Sequence, residues 1–311
     1  MSPAHPTFPL RAPSIPFLDA EVGADPARIA TPYAYLGIPF GPPYAPEDLT
    51  VCAGAADAVR RVARDLLYGE AHLHHDFDLG GPLFPDGPTV TDLGDVTADP
   101  DDPETIWDHG LDVVRALTTR GITPLVIGGL DAIPPIVVGA FDEPINVLHV
   151  DAHIDFRDEV AGQRRGYSSP IRRIRELAHV RRVVQVGLRS VGSGRPSDVA
   201  DAIAAGNELI TAWEVHEGGI GPVMDRLGED GRWVITIDCD GLDPSITPGV
   251  GWPEPGGLTY PQIATLVRTL ARRGDVAAMI FTEFRPDRDI ANRTAQTIIR
   301  LLVQVIGLQR R

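Results

Sequence analysis

Short runs in which almost every residue is apolar recur along the chain. They alternate with segments whose apolar residues return at helical spacing. The runs are Ala34–Phe40, Val90–Val96, Thr123–Gly129, Asn146–Val150, Arg182–Leu188, Trp233–Asp238 and Val276–Glu283. A strand buried on both faces reads as a continuous apolar stretch, not an alternating one. Between them, Ala53–Leu67, Pro103–Thr119, Ser169–Leu177, Tyr260–Arg272 and Thr294–Ile306 predict helices. In the second of these, Ile106, Leu111, Val114 and Leu117 recur near the spacing of a turn. Asp198–Ala205 and the segment after it are also expected to be helical. Strands alternating with helices predict an α/β protein built on a parallel sheet covered on both faces.

Proline marks the exceptions. Pro42, Pro43 and Pro46 exclude helix from the loop Gly41–Asp48, and Gly80–Gly87 is expected to be another loop. Pro3, Pro6, Pro9, Pro13 and Pro16 make residues 1–30 an expected extended arm or oligomer contact outside the core. No linker, internal repeat or low-complexity block divides residues 31–311, which are expected to form one domain.

Composition narrows the classes of partner. With 311 residues and 43% hydrophobic content the chain can bury a large core. A formal net charge of -15 argues against nucleic acid or an anionic membrane and suits a cationic small molecule. Cys52 and Cys239 are the only cysteines, fitting neither a disulfide framework nor a zinc motif. No basic segment followed by an apolar core opens the chain, and no apolar run has the length of a membrane span, so a cytoplasmic protein is expected.

The chemistry gathers where two apolar runs end. Asn146-Val-Leu-His-Val-Asp-Ala-His-Ile-Asp155 closes in Asp151, His153 and Asp155, and Trp233-Val-Ile-Thr-Ile-Asp-Cys-Asp240 closes in Asp238 and Asp240. Ligand sites in open α/β sheets lie beyond the carboxyl ends of strands. Carboxylates with an imidazole suit Mn²⁺ or a similar divalent cation.

Asp151-Ala-His-Ile-Asp155, Asp238-Cys-Asp-Gly-Leu-Asp-Pro244 and Pro248-Gly-Val-Gly-Trp-Pro-Glu-Pro-Gly-Gly257 resemble the signatures of the ureohydrolase family, which includes arginase and agmatinase. Gly37-Ile-Pro-Phe40, Leu93-Gly-Asp-Val96, Val184-Gln-Val-Gly-Leu-Arg189 and Glu283-Phe-Arg-Pro286 fall where similar family segments would. The resemblance runs from about residue 33 to the C-terminus and is closest to agmatinase. It implies a three-layer α/β/α sandwich with a mostly parallel central sheet, two Mn²⁺ per chain, and a homo-oligomer, trimer or hexamer. The implied reaction is hydrolysis of a guanidino group to urea and an amine, with agmatine as first substrate. A guanidino acid such as 4-guanidinobutyrate, or a specialised metabolite, is the alternative. A non-catalytic subunit that keeps the fold is another.

The resemblance implies roles residue by residue. Asp151 and Asp238 match aspartates that bridge two metals, His153 and Asp240 match ligands on one metal, and Asp155 matches a ligand on the other. Asp155 also matches the general acid/base, and Glu283 matches the carboxylate that pairs with the guanidinium. Relatives complete the ligand set with a histidine in Gly-Gly-Asp-His-Ser. Here Gly128-Gly-Leu-Asp-Ala132 puts Asp131 at that position. Where relatives carry a histidine before the Ser169-Pro170 turn, this chain offers Tyr167 or Arg165.

Plainer readings stand beside these. Asp131 is open between a metal ligand and a helix cap, and Glu283 between a substrate carboxylate and a structural ion pair. His149 reads as a packed histidine or one that supports a ligand. His72, His74 and His75 read as a solvated loop. Cys239 reads as core, and Trp252 as a residue that shapes the pocket or packs.

Overall fold

The computed structural model describes residues 8–66, 74–83 and 89–309. Its strands are Leu10–Arg11 (β1), Glu21–Val22 (β2), Tyr33–Ile38 (β3), Val90–Val96 (β4), Thr123–Gly128 (β5), Ile145–Val150 (β6), Val180–Leu188 (β7), Glu208–Thr211 (β8), Trp233–Asp238 (β9) and Val276–Thr282 (β10). They form one sheet in the order β1-β4-β3-β5-β10-β9-β6-β7-β8, with β2 also beside β4. Every pairing is parallel except β1 with β4. Each residue of β3, β4, β5, β6, β9 and β10 is buried, which is why most of these segments read as apolar runs; β4 differs in burying Asp92 and Asp95.

The helices are Ala55–Leu66 (α1), Thr105–Thr118 (α2), Pro134–Val138 (α3), Pro170–Arg175 (α4), Pro196–Ala204 (α5), Ala212–Gly218 (α6), Gly221–Leu227 (α7), Tyr260–Arg273 (α8) and Arg293–Leu308 (α9). Strand side chains alternate between two cores. Tyr35, Leu148, Ile235 and Ile237 pack with α1, α8 and α9 on one face. Leu36, Val147 and Val234 pack with α2, α3 and α4 on the other. The result is a three-layer α/β/α sandwich, as the sequence predicts.

Three expectations change. Residues 10–22 do not stand outside the core: β1 and β2 pair with β4, and Phe17, fully buried, stacks on Tyr35 with ring centroids 4.4 Å apart. The open side of β4 exposes backbone groups that this segment covers. The segment after α5 is helical only from Ala212, in α6 and α7; before them β8 pairs with β7 and completes that end of the sheet. Finally, α3 is too short for its periodicity to register, and it starts on Pro134-Pro135, where fixed φ angles favour a first turn.

Buried charge fastens the N-terminal segment to the sheet. The Arg60 guanidinium donates to both Asp92 oxygens at 2.9 and 3.0 Å, to Asp95 at 2.8 Å and to Asp57 at 2.9 Å. Asp92 also accepts from the Phe17 N–H at 2.9 Å, and Asp95 from Arg11 at 2.7 Å. His72 and part of the Gly80–Gly87 loop lie outside the described residues, while His74 and His75 are exposed. Among the described residues no helix is long and apolar enough to cross a membrane.

Candidate metal centre

Four neighbouring strands, β5, β10, β9 and β6, run parallel and end on the same edge of the sheet. Their exits carry Asp131, Glu283, Asp238 and Asp151. Two glycines permit close packing here, one against the exit of β3 and one against that of β6. A Cβ on Gly129 would lie 2.5 Å from the Pro39 carbonyl oxygen, and one on Gly241 would lie 2.5 Å from the Asp151 nitrogen. Gly241 ends the turn Cys239–Gly241, so this contact presses Asp240 against the β6 exit. Arg189, buried among these loops, donates to the carbonyls of Asp240 at 2.6 Å and Glu254 at 2.7 Å. It clamps the turn to the loop behind it.

Among the described residues, potential ligand atoms converge in two groups. One is Asp151, His153 and Asp240, the other Asp131, His149 and Asp151, each within 4.8 Å. In the first, His153 Nδ1 lies 3.4 Å from Asp151 Oδ1 and 3.3 Å from Asp240 Oδ2. In the second, His149 Nε2 lies 3.0 Å from Asp151 Oδ2 and 3.5 Å from Asp131 Oδ2. Asp131 is no helix cap: it is buried, and its Oδ1 accepts from the Thr282 hydroxyl at 2.5 Å. Asp155 and Asp238 join neither group, although both line the adjoining cavity.

That cavity has a volume of about 300 Å³. His153, Asp155, Asp238, Asp240 and Glu283 line it together with Tyr167, Trp252 and Arg285. Of the two residues offered for the family's histidine position, Tyr167 is therefore the one at the cavity; Arg165 instead lies over the Trp107 ring at 4.6 Å. Trp252 stands 79% exposed on the rim. A larger hollow of about 550 Å³ beside Arg11 and Phe40 brings no imidazole to its walls, so the chemistry belongs to the smaller one.

Asp155 and Glu283 adopt φ of 44° and 61°, unusual for residues with side chains. Such strain concentrates at functional positions. Glu283 is held by its N–H donating to the Gly129 carbonyl at 2.9 Å, while its Oε1 accepts from the Asp131 N–H at 3.0 Å. No arginine pairs with it among the described residues, which removes the structural ion-pair reading. Ser193 donates to Asp155 Oδ1 at 2.5 Å. Nothing in the sequence marks Ser193 or Thr282, because their partners are remote along the chain.

The electrostatics of the centre are those of crowded buried anions. Burial, then the charges of Asp240 and Asp151, push Asp238 well above the usual carboxylate range. Burial and Asp151 do the same to Asp155, and burial and Asp240 to Glu283. Burial raises Asp131 to about 6. Burial opposes the His153 imidazolium, but hydrogen bonds and charges of Asp151 and Asp240 prevail and raise it to about 12. Burial likewise opposes charge on Asp151, and the two histidines prevail, holding it low. A divalent cation supplies the positive charge these groups otherwise take from protons. Asp151, His153 and Asp240 offer it oxygen and nitrogen donors beside the cavity, a fitting set for such an ion.

The arginase-family profile matches residues 34–307. The chain is 30% identical over 291 residues to mitochondrial arginase 1 of Arabidopsis thaliana, covering 88% of this chain and 79% of that one. It is 32% identical over 191 residues to the N(1)-aminopropylagmatine ureohydrolase of Thermus thermophilus, covering 60% and 63%. The crystal structure of agmatine ureohydrolase from Thermoplasma volcanium superposes with a TM-score of 0.75 at 26% identity, over 91% of this chain and 92% of that one. Sheet, ligand-bearing strand exits and profile agree: this chain belongs to the arginase family, whose fold it shares.

Proposed function

We propose that this protein is a metal-dependent amidinohydrolase that releases urea from a guanidino compound, with agmatine, giving putrescine, as the first choice. The observation that carries the reading is one cavity lined by His153 and Asp240 of a metal-type group and by an unpaired carboxylate, Glu283. Mn²⁺ is the proposed cation. When bound, it supplies Lewis-acid activation of water near neutral pH.

The chain's own residues do the remainder. Glu283 faces the cavity and pairs with the planar guanidinium through parallel charge-assisted hydrogen bonds. Water adds to the guanidino carbon, the bond from that carbon to the amine breaks, and the amine leaves with a proton. Asp155 takes that proton from the attacking water and delivers it to the amine. Ser193 keeps one of its oxygens oriented. Tyr167 and Trp252 narrow the cavity around the substrate's carbon chain.

Asp48 at the cavity supports a cationic tail, as in agmatine. Arg285 at the same cavity supports the second reading, a guanidino acid such as 4-guanidinobutyrate. A urea-release screen of both classes, with Mn²⁺, Ni²⁺, Co²⁺ and Zn²⁺ supplied separately, tests the proposal. Release from none of them by metal-loaded protein would favour a non-catalytic subunit. A trimer or hexamer belongs to the same proposal and is tested by light scattering.

A further inference from the structure

The guanidinium that Glu283 is proposed to receive has a chemical double inside the protein. Arg285 carries the same planar cation, stands two residues further along the chain and lines the same cavity. Phe284 between them is buried in the core, and the Arg285 N–H donates to the Gly249 carbonyl at 2.8 Å. The backbone thus holds both side chains on the cavity side. Arg285 has an extended backbone, with φ of -105° and ψ of 97°. Alternate residues of such a chain lie about 7 Å apart, a span that an arginine and a glutamate side chain together cover. Oε1 of Glu283 is taken by the Asp131 N–H, which leaves its other oxygen for a cation.

What keeps Arg285 off Glu283 stands outside the cavity. Asp287 accepts from Arg285 Nη2 at 2.8 Å and from Nε at 3.2 Å, one bond to each carboxylate oxygen. The turn Pro286–Arg288 sets the two side chains together, with the φ of Pro286 fixed at its start. The hydrogen bond to Asp287, with burial opposing and Glu283 adding a smaller attraction, raises the Arg285 guanidinium above its ordinary value. Both carboxylates therefore draw on one cation, and Asp287 holds it.

We propose that Asp287 is a positioning residue that keeps Glu283 open: without it, Arg285 turns onto Glu283 as a built-in competitor of the substrate. The inference rests on the reading of Glu283 as the guanidinium's partner and adds to it a residue that touches no substrate. An Arg285 seated on Glu283 lowers the fraction of competent sites, so apparent affinity falls by that fraction while the chemistry of bound substrate is unchanged.

The test is steady-state urea release from agmatine by Mn²⁺-loaded Asp287→Ala. KM is expected to rise by about two- to fivefold, the range an exposed ion pair can shift, with kcat at the parent value. Shortening the competitor as well, in Arg285→Ala/Asp287→Ala, is expected to bring KM back down. An unchanged KM in Asp287→Ala, a fall in kcat in place of the rise in KM, or a raised KM that persists in the double variant overturns the inference. A second measurement needs no turnover: the crystal structure of substrate-free, Mn²⁺-loaded Asp287→Ala. Arg285 is expected within hydrogen-bond distance of Glu283, and an Arg285 that keeps its parent position or turns to solvent overturns the inference. Absence of urea release from the unaltered protein with every guanidino compound would count against the proposed function, while this structure still decides the contact, so the two failures are distinguishable.

Discussion

Replacing Glu283 by glutamine separates substrate recognition from metal binding. Oε1 of Glu283 accepts from the Asp131 N–H at 3.0 Å, a bond the glutamine oxygen can keep. The new NH₂ then takes the place of the other carboxylate oxygen and meets the N–H donors of a guanidinium. Both the charge and one of two parallel hydrogen bonds are lost. Truncating one partner of a buried charged pair costs about 2–5 kcal/mol. At 1.36 kcal/mol per decade, that is a loss of about 30- to 5,000-fold in kcat/KM. The donor-against-donor contact places the expected value in the upper half of the range. Since the backbone at Glu283 is held by its own N–H on the Gly129 carbonyl, metal content and melting temperature should stay at the parent values. The assay is urea release from each active guanidino substrate, with metal analysis and thermal melts on the same preparations. A decrease under about threefold, with metal retained, would refute the pairing of Glu283 with the guanidinium.

Arg60→Met should destabilise the fold by about 3–5 kcal/mol, because it leaves buried Asp92 and Asp95 without their shared cation; urea unfolding that shows less than about 1 kcal/mol would count against that network. The metal-free protein should lose stability between about pH 5 and 8. Asp131, at about 6, and the raised Asp155 and Asp238 bind protons more tightly folded than unfolded, so their contribution is full below about pH 4 and fades as pH rises through the folded values. His153, raised to about 12, acts in the same direction above its ordinary value. Saturating Mn²⁺ should reverse the slope, since the cation binds the deprotonated centre; a flat or rising metal-free melting temperature over that range would contradict the assignment. Asp131→His should raise metal content with Ni²⁺ or Zn²⁺ and, where hydrolysis is measurable, move its alkaline rise to lower pH. Elemental analysis and pH-rate profiles identical to the parent would show that position 131 does not face the metal.

The sequence by itself determined the layered α/β architecture and the two richest ligand segments. Strands buried on both faces are mostly apolar along their length, and that pattern is local. Asp151 with His153, and Asp238 with Asp240, are separated by only one residue at a strand exit, so the chain places each pair without help from the rest of the fold. What the sequence could not carry is adjacency. Only the sheet order sets β5, β10, β9 and β6 side by side, which brings Asp131 to Thr282 and Glu283 although they are some 150 residues apart in sequence. The expected arm became part of the sheet edge because Phe17 finds Tyr35 and Asp92, partners its prolines do not reveal. The segment Glu208–Thr211 became a strand because β7 offers it an open edge, a tertiary preference that overrides a short and ambiguous pattern. His149 shows the division most clearly. Its spacing from Asp151 is legible, but its neighbours Gln185, Ile154 and Asn207 are assembled only by the folded chain.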